Sequence, residues 1–396
     1  MGPNSSSKKQ KSKEDQDIIS NLPDVIIYYI LSFLPTRDAV RTCVLSKRWI
    51  YLWTFITKLH FNDKERHRYI GKTRFVNSVY RVLIHLNTSS IQSFSLSLSE
   101  NYNSYHVNQW ISVMLRRRLK ELYIKSTKEN DIFSPSLWKS PSLEKLVLCM
   151  SACSIKRKMN YDVRVKVPTC VCLSSLTVLI LNGITFTCAP SNDSKKLNLN
   201  FPVLRKYETE YCEWLNVKGV TFEVPLLEVL RISHTRVLGP DGSRSVIKFC
   251  ASRLAKFSYI GNMSDARDSL IELPEFEMLS RLELDEVAGV LLLFLLIKAP
   301  LLKTLVFREL LSFEDDLWDA RCVPCVLTNL QELYFGRLKG DEHEVRFAKF
   351  VVENARVLKR ARFIACRGLR WSKFDQFKEK ILSLKKSVGS AVIEFS

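Results

Sequence analysis

The chain has 396 residues, 46% of them apolar, with only 12 Gly and 13 Pro; this excludes a low-complexity chain and supplies ample material for an ordinary core. Its net charge of +19 is uneven: residues 1–200 carry 30 basic and 14 acidic side chains, 201–335 carry 15 and 20, and 336–396 carry 15 and 7. The acidic middle argues against a groove tracking a phosphate backbone, and the longest apolar run, Val287 to Ile297, is too short to span a bilayer.

Met1 to Glu14 contains Ser5, Ser6 and Ser7 with Lys8, Lys9, Lys11 and Lys13 and almost nothing apolar. Residues 1–14 therefore read as a disordered basic tail. Its lysines fit a nuclear address, and equally a solvated run. No apolar h-region marks a secretory signal, so a soluble intracellular protein, in nucleus or cytoplasm, is expected. Eleven cysteines scattered through apolar segments then read as reduced, mostly buried thiols. Cys322 and Cys325 have a zinc-like spacing without a second pair or a His to complete it. Cys149, Cys153, Cys170 and Cys172 fit no common ligand pattern, so no metal site is expected.

Residues 22–53 pack more apolar side chains than a short helical piece can bury alone. Pro23 suits a first helical turn and Asp24 a helix N-terminus. Val25, Ile26, Ile27, Ile30, Leu31, Phe33 and Leu34 cover more than one face. Pro35 stops this helix, and Thr36 is suited to cap a second one with Asp38 in its first turn. Ser46 is suited to cap a third, holding Trp49, Leu52 and Trp53. Periodicity alone fits a plain helical core as well as a docking module.

The string Leu22-Pro23, the centre Ile30-Leu31-Ser32-Phe33-Leu34-Pro35 and the end Leu45-Ser46-Lys47-Arg48-Trp49 together resemble the F-box, over about residues 17–58. That resemblance implies docking onto a Skp-type adaptor and through it a cullin ubiquitin ligase. It implies that Leu22 and Pro23 open the adaptor contact and that Ile27, Leu31, Leu34, Pro35, Val40, Val44 and Leu45 extend it. Trp49 and Trp53 serve internal packing equally well. The F-box is placed at 15–62, and a helical linker or cap at 63–90. There Phe75, Val76, Val79, Tyr80, Val82 and Leu83 have helical spacing over 73–86 and are expected to cover the first strand of the next segment.

Beyond residue 90 one pattern recurs: an apolar residue, two variable, one apolar, one variable, one apolar. Copies start at Ile91, Leu119, Leu143, Leu176, Leu227, Leu254, Leu279, Leu302 and Leu330, with weaker ones at Leu204 and Leu358, successive starts lying 23 to 33 residues apart. That spacing falls in the range of leucine-rich repeats. A repeat that cannot bury its own leucines stacks on its neighbours, so 91–335 is expected to be a solenoid of short parallel strands with irregular or helical returns. The repeats resemble the degenerate ones found behind plant F-boxes, since the usual strand-closing Asn is nearly absent apart from Asn182.

Side chains alternating with the apolar positions line the concave face. Tyr123, Lys125, Arg231, Arg281, Glu283, Arg308, Tyr334 and Arg360 are the candidates for substrate contact, although each alone reads as a solvated strand residue. Their mixed signs suit a protein surface better than a repeating polymer.

The last segment, 336–396, reads as helix Glu344–Ala355, strand Arg356–Ile364, basic amphipathic helix Trp371–Leu384 and strand Ala391–Phe395. The string Phe350-Val351-Val352-Glu353-Asn354-Ala355-Arg356-Val357-Leu358-Lys359 resembles the FBD region of plant F-box proteins over about 322–396, and is expected to close the solenoid. The fold class is thus α/β: a three-helix F-box, a leucine-rich-repeat solenoid and a C-terminal α+β cap.

None of the six histidines joins a zinc or nucleophile motif, and Asp315-Asp316 reads as surface charge. No catalytic residue and no cofactor are expected. The expected function is the substrate-recognition adaptor of a Skp–cullin–F-box ubiquitin ligase, non-catalytic itself. The alternatives are an F-box scaffold without a role in degradation, and a basic nucleic-acid-binding solenoid using Arg116 to Lys120, Lys156 to Lys158 and the C-terminal helix.

Overall fold

The computed structural model describes residues 19, 21–65, 68–69, 71–127, 135–150, 164–168, 171, 173–188, 195–239, 245–262, 271–272, 276–311, 327–384 and 391–396. It opens with helices α1 (Asp24–Leu31), α2 (Thr36–Arg41) and α3 (Trp49–Leu52). Then come β1 (Lys58–Asn62), an antiparallel pair β2 (Lys64–Glu65) and β3 (Arg68–Tyr69), α4 (Lys72–His85), β4 (Ser93–Leu98), α5 (Ser104–Arg116), β5 (Glu121–Ser126) and β6 (Lys145–Met150). The middle consists of strands: β7 (Arg164–Val167), β8 (Val178–Asn182), β9 (Thr185–Cys188), β10 (Lys196–Asn200), β11 (Lys206–Glu210), β12 (Glu213–Leu215), β13 (Gly219–Glu223), β14 (Val229–Ser233), β15 (Arg236–Leu238), β16 (Val246–Cys250), β17 (Lys256–Asn262) and β18 (Ile271–Glu272). Helices return with β19 (Arg281–Ala288), α6 (Gly289–Lys298), β20 (Thr304–Leu311), β21 (Glu332–Leu338), α7 (Glu342–Asn354), β22 (Arg360–Ala365), α8 (Trp371–Leu384) and β23 (Val392–Phe395).

The chain is thus a mixed α/β protein, with helices at its N-terminus followed by many parallel strands. One sheet of 13 strands takes β1, β4, β5, β6, β8, β11, β14, β17, β19, β20, β21, β22 and β23 in chain order. Every pairing within it is parallel. The apolar triplets set its register. Leu122 stands opposite Leu146, Leu146 opposite Leu179, Leu179 opposite Tyr207, and the column continues through Leu230, Phe257, Leu282, Leu305, Leu333 and Ala361. All eleven triplets are buried, including the weaker Leu204-Tyr207-Thr209 and Leu358-Ala361-Phe363. Burying each such leucine contributes roughly 1.5–3 kcal/mol, but only when the next strand covers it.

The returns differ from expectation in the middle of the chain. They are strands, which pair into two further parallel sheets, β10-β13-β16-β18 and β7-β9-β12-β15. The reason is a period of two in the connecting segments: Leu197 and Leu199, Val220 and Phe222, Ile247 and Phe249 all point inward. Parallel stacking then sets like on like. Phe222 stacks on Phe249 at 4.8 Å, and Phe186 on Trp214 at 4.5 Å. Among the described residues, α-helical returns occur only towards the two ends, α4 and α5 before β5 and α6, α7 and α8 after β19, with a 3₁₀ turn, Pro135–Lys139, between β5 and β6.

The sheet also starts earlier than the first repeat. β1, within the stretch assigned to the N-terminal helices, pairs with β4 and places Leu59 and Phe61 beside Phe94 and Leu96. Asp63, fully buried just after β1, anchors this corner. Its carboxylate accepts from the Ser99 amide and hydroxyl, the Glu100 amide and the Tyr102 hydroxyl, all within 3.1 Å. That satisfies a carboxylate which would otherwise be too costly to bury. Among the described residues, no helix is long and apolar enough to cross a membrane.

Candidate functional site

The first candidate surface is the outside of the N-terminal helices. Pro23 (φ −58°, ψ 146°) lies just before α1, and Asp24 opens its first turn. Arg48 locks that start: its guanidinium donates to the Asp24 carboxylate, Nε to Oδ1 at 3.0 Å, and to the Leu22 carbonyl. α1 is apolar all round but buries only the i, i+4 stripe of Ile27 and Leu31. These two residues, expected in the adaptor contact, are 0% exposed and offer a partner no surface; they face the chain's own core. They leave the docking set. The exposed side carries instead Val25 (72% exposed), Ile26, Tyr29, Ile30, Phe33 (67%) and Leu34, with Tyr29 and Phe33 edge to face at 4.8 Å.

Pro35 precedes α2, and Thr36 is its first residue, not its cap. The Thr36 hydroxyl is buried and accepts the backbone N–H of His60 in β1 at 2.7 Å. The side chain expected to cap a helix thus fastens the helices to the edge of the sheet. Ser46 likewise donates no side-chain cap to α3, and its backbone carbonyl accepts from Trp49 N–H. Between them a 3₁₀ turn, Thr42–Val44, pushes Val44 (83% exposed) and Leu45 (62%) into solvent. Trp49, Leu52 and Trp53 are core. Ile50, Tyr51 and Phe55 extend the exposed apolar surface, while Leu22 and Val40 are half-buried and Pro23 and Pro35 exposed. Monomeric proteins rarely expose so many large apolar side chains within one short segment.

The second candidate surface is the outward face of the 13-stranded sheet. Strand alternation brings Tyr123 and Lys125 (β5), Arg231 (β14), Arg281 and Glu283 (β19), Arg308 (β20), Tyr334 (β21) and Arg360 (β22) onto that one face, spread over its length. Several are engaged by their neighbours. Arg281 binds Glu283, Arg308 pairs with Asp285 at 2.9 Å, and Arg360 and Arg362 share Glu394. Lys145 lies over the Tyr123 ring at 5.1 Å, and Arg362 over Tyr334 at 6.0 Å. Arg231 has no ion-pair partner among the described residues. The face is a mosaic of neutralised pairs, not a field of one sign.

Part of the basic run considered for nucleic acid is structural. Arg117 donates to the carbonyls of Leu86 and Thr88 beyond α4, and Lys120 pairs with Glu144. Lys156 to Lys158, Asp315-Asp316, Cys153, Cys170, Cys172, Cys322 and Cys325 lie outside the described residues. Cys149 is half-buried, and burial pushes the thiol of Cys212 up to about 12, far from a reactive thiolate.

Glu344 in α7 is a buried carboxylate that sequence patterning did not single out. Its side chain accepts from the amides of Lys339 and Asp341 and completes a capping box with Asp341. Burial raises its pKa above the ordinary 4.5, against the pull of those amides and of His343. The folded state therefore holds this proton more tightly than the unfolded chain. Stability from this group is fullest below 4.5 and is lost as pH rises through the folded value. Urea midpoints measured upward from the ordinary carboxylate pKa should show that fall, and Glu344→Gln should flatten it. An unchanged pH profile in the variant would show that burial does not tune this group.

Two family models match the chain: the F-box domain over residues 19–58 and FBD over residues 321–363. The first covers α1 to α3; the second ends at Phe363, so α8 and β23 lie beyond it. Among curated relatives, one F-box/FBD/LRR-repeat protein of Arabidopsis thaliana is 28% identical over 411 residues, covering 89% of this chain and 90% of its own length. Another with the same description and organism is 27% identical over 445 residues, 94% of each chain. A third is 36% identical over 221 residues, 54% of this chain and 48% of its own.

Proposed function

From an F-box and an FBD segment joined by a long ladder of parallel strands, we propose that this chain is the substrate-recognition adaptor of a Skp–cullin–F-box ubiquitin ligase. The observation carrying the first half is the exposed apolar surface of α1 to α3, which needs a partner to cover it. The docking residues are Leu22, Pro23, Leu34, Pro35, Val40, Val44 and Leu45, joined by Val25, Ile26, Tyr29, Ile30 and Phe33. The strands from β4 onward are leucine-rich repeats, a reading supported by the in-register triplets and by the names of the Arabidopsis relatives. Their outward face, with Tyr123, Lys125, Arg231, Arg281, Glu283, Arg308, Tyr334 and Arg360, holds a protein substrate. The FBD segment, with α8 and β23 beyond it, closes the array.

No chemistry is assigned to the chain itself. It gathers two partners, and the gain comes from the effective concentration of ubiquitin donor beside substrate lysines. The test is co-expression with a Skp-type adaptor and a cullin. A co-eluting complex that transfers ubiquitin to a protein captured by the full chain, and not to one captured after deletion of residues 19–58, supports the reading. A chain that elutes alone refutes it. A complex that forms while its captured protein keeps its lifetime in cells favours the scaffold role.

A further inference from the structure

Four successive strands of the main sheet, β8, β11, β14 and β17, finish in backbone with positive φ. The residues there are Gly183 (67°), Tyr211 (50°), His234 (45°) and Gly261 (134°). Their amides continue the ladder, Gly183 to the Glu210 carbonyl, Tyr211 to Ser233 and His234 to Ile260, all at about 2.9–3.0 Å. Glycine takes this conformation freely and an aromatic side chain does not. Two of the four positions nevertheless carry rings. Tyr211 and His234 are stacked, their ring centroids 4.8 Å apart and their planes 6° from parallel, with His234 exposed and Tyr211 partly so. Strain kept where glycine would serve is a mark of use.

Beyond His234 in the row stands a residue with no side chain. A Cβ on Gly261 would lie 3.7 Å from Nδ1 of His234 and 3.8 Å from Cε1 of the buried Tyr259 ring, so the glycine leaves a small gap between the two rings at the strand end. Carboxylates stand on strands to either side, near the same end of the sheet. Glu210 directly precedes Tyr211, and Glu286 lies opposite Asn262 across the bulge in β17 and β19. Their acidic neighbours are already matched: Glu208 by Lys206, Glu283 by Arg281, Asp285 by Arg308. Glu210 accepts only the neutral Asn182 amide, and among the described residues neither Glu210 nor Glu286 has an ion-pair partner. The surrounding stretch, 201–335, is the acidic part of a chain whose charge is otherwise positive.

We propose that this strand-end surface binds an arginine on a basic, extended segment of the captured protein, the guanidinium stacking on His234 above Gly261 and the flanking cations of the segment meeting Glu210 and Glu286. The proposal rests on the substrate-adaptor reading and narrows it to a substrate class. Arginine is favoured over lysine because its planar group stacks on a ring while pairing at its edge.

The test uses the full chain with its adaptor and two labelled octapeptides, one alternating Arg and Ser, the other Lys and Ser. The arginine peptide should bind about 5-fold tighter, in line with an exposed cation–π contact. His234→Gly should erase that preference while leaving the melting temperature unchanged or higher, since it removes strain; a merely structural ring would not separate these two readouts. The double variant Glu210→Gln, Glu286→Gln should weaken both peptides. Equal affinity of the wild-type chain for the two peptides, or a preference that survives His234→Gly, would overturn the proposal. Adaptor co-elution, measured on the same preparations, reports on the F-box reading separately.

Discussion

Replacing Val44 and Leu45 together with aspartate should lower affinity for a Skp-type adaptor by about 100-fold or more while leaving the melting temperature of the chain in place. Both side chains stand in solvent at the end of the 3₁₀ turn after α2, so the free chain loses nothing when they become polar. In a complex they would be covered. Truncating a central apolar anchor costs about 2 kcal/mol or more, and an unpaired carboxylate buried in its place adds a desolvation cost. Together these exceed the roughly 2.7 kcal/mol that a factor of about 100 represents.

The informative contrast is Leu31→Ala. That side chain is wholly buried, and its loss should destabilise the chain by about 2–5 kcal/mol. It too would weaken adaptor binding, but through a lower melting point. Titration calorimetry paired with thermal melts separates the two. Undiminished binding by the aspartate variant would remove the 3₁₀ turn from the interface.

Gly183→Ala should be the most damaging of the Gly→Ala changes among the described residues, lowering stability by about 4 kcal/mol or more, at the rare end for point changes. An added Cβ would lie 2.2 Å from the backbone oxygen of Met150. Neither atom can rotate away, because one is fixed to a φ of +67° and the other belongs to β6. The β6–β8 pairing must open to admit it, and the rows on either side are keyed to that pairing. Gly71, just before α4, has nothing within 4 Å of the same built atom, and Gly71→Ala should cost less than about 1 kcal/mol. Urea or thermal unfolding of the two variants side by side checks the difference. Similar midpoints would mean that the β6–β8 contact yields more easily than a parallel ladder should.

The strands were legible because the triplet pattern is tied to something local, an inward side chain at every second position. Even Leu204-Tyr207-Thr209 and Leu358-Ala361-Phe363, poor in leucine, became strands, since neighbours in register enforce them. The period-two signal in Leu197-Asn198-Leu199 and Ile247-Lys248-Phe249 was equally local and predicts the strand returns once it is looked for. The capping of α2 and α3 was not legible. Thr36 has the right chemistry for a cap, and only the approach of β1 decides that its hydroxyl serves His60. The same holds for α1, where an all-apolar helix cannot say which stripe the rest of the chain covers. Ile27 and Leu31 are settled by tertiary packing alone. Asp63 and the Tyr211–His234 stack were out of reach for the same reason: each joins segments that are distant in sequence.

The bond from Thr36 to the edge strand has a mechanical consequence. With the Thr36 hydroxyl bonded to β1, the N-terminal helices are fastened directly to the edge of the sheet, like a hand to a wrist. In the adaptor reading, the choice of lysine to be modified then becomes a matter of aim. A cargo protein held at a fixed bearing presents the same few amines to the transfer enzyme each time, whatever the length of any flexible arm it carries.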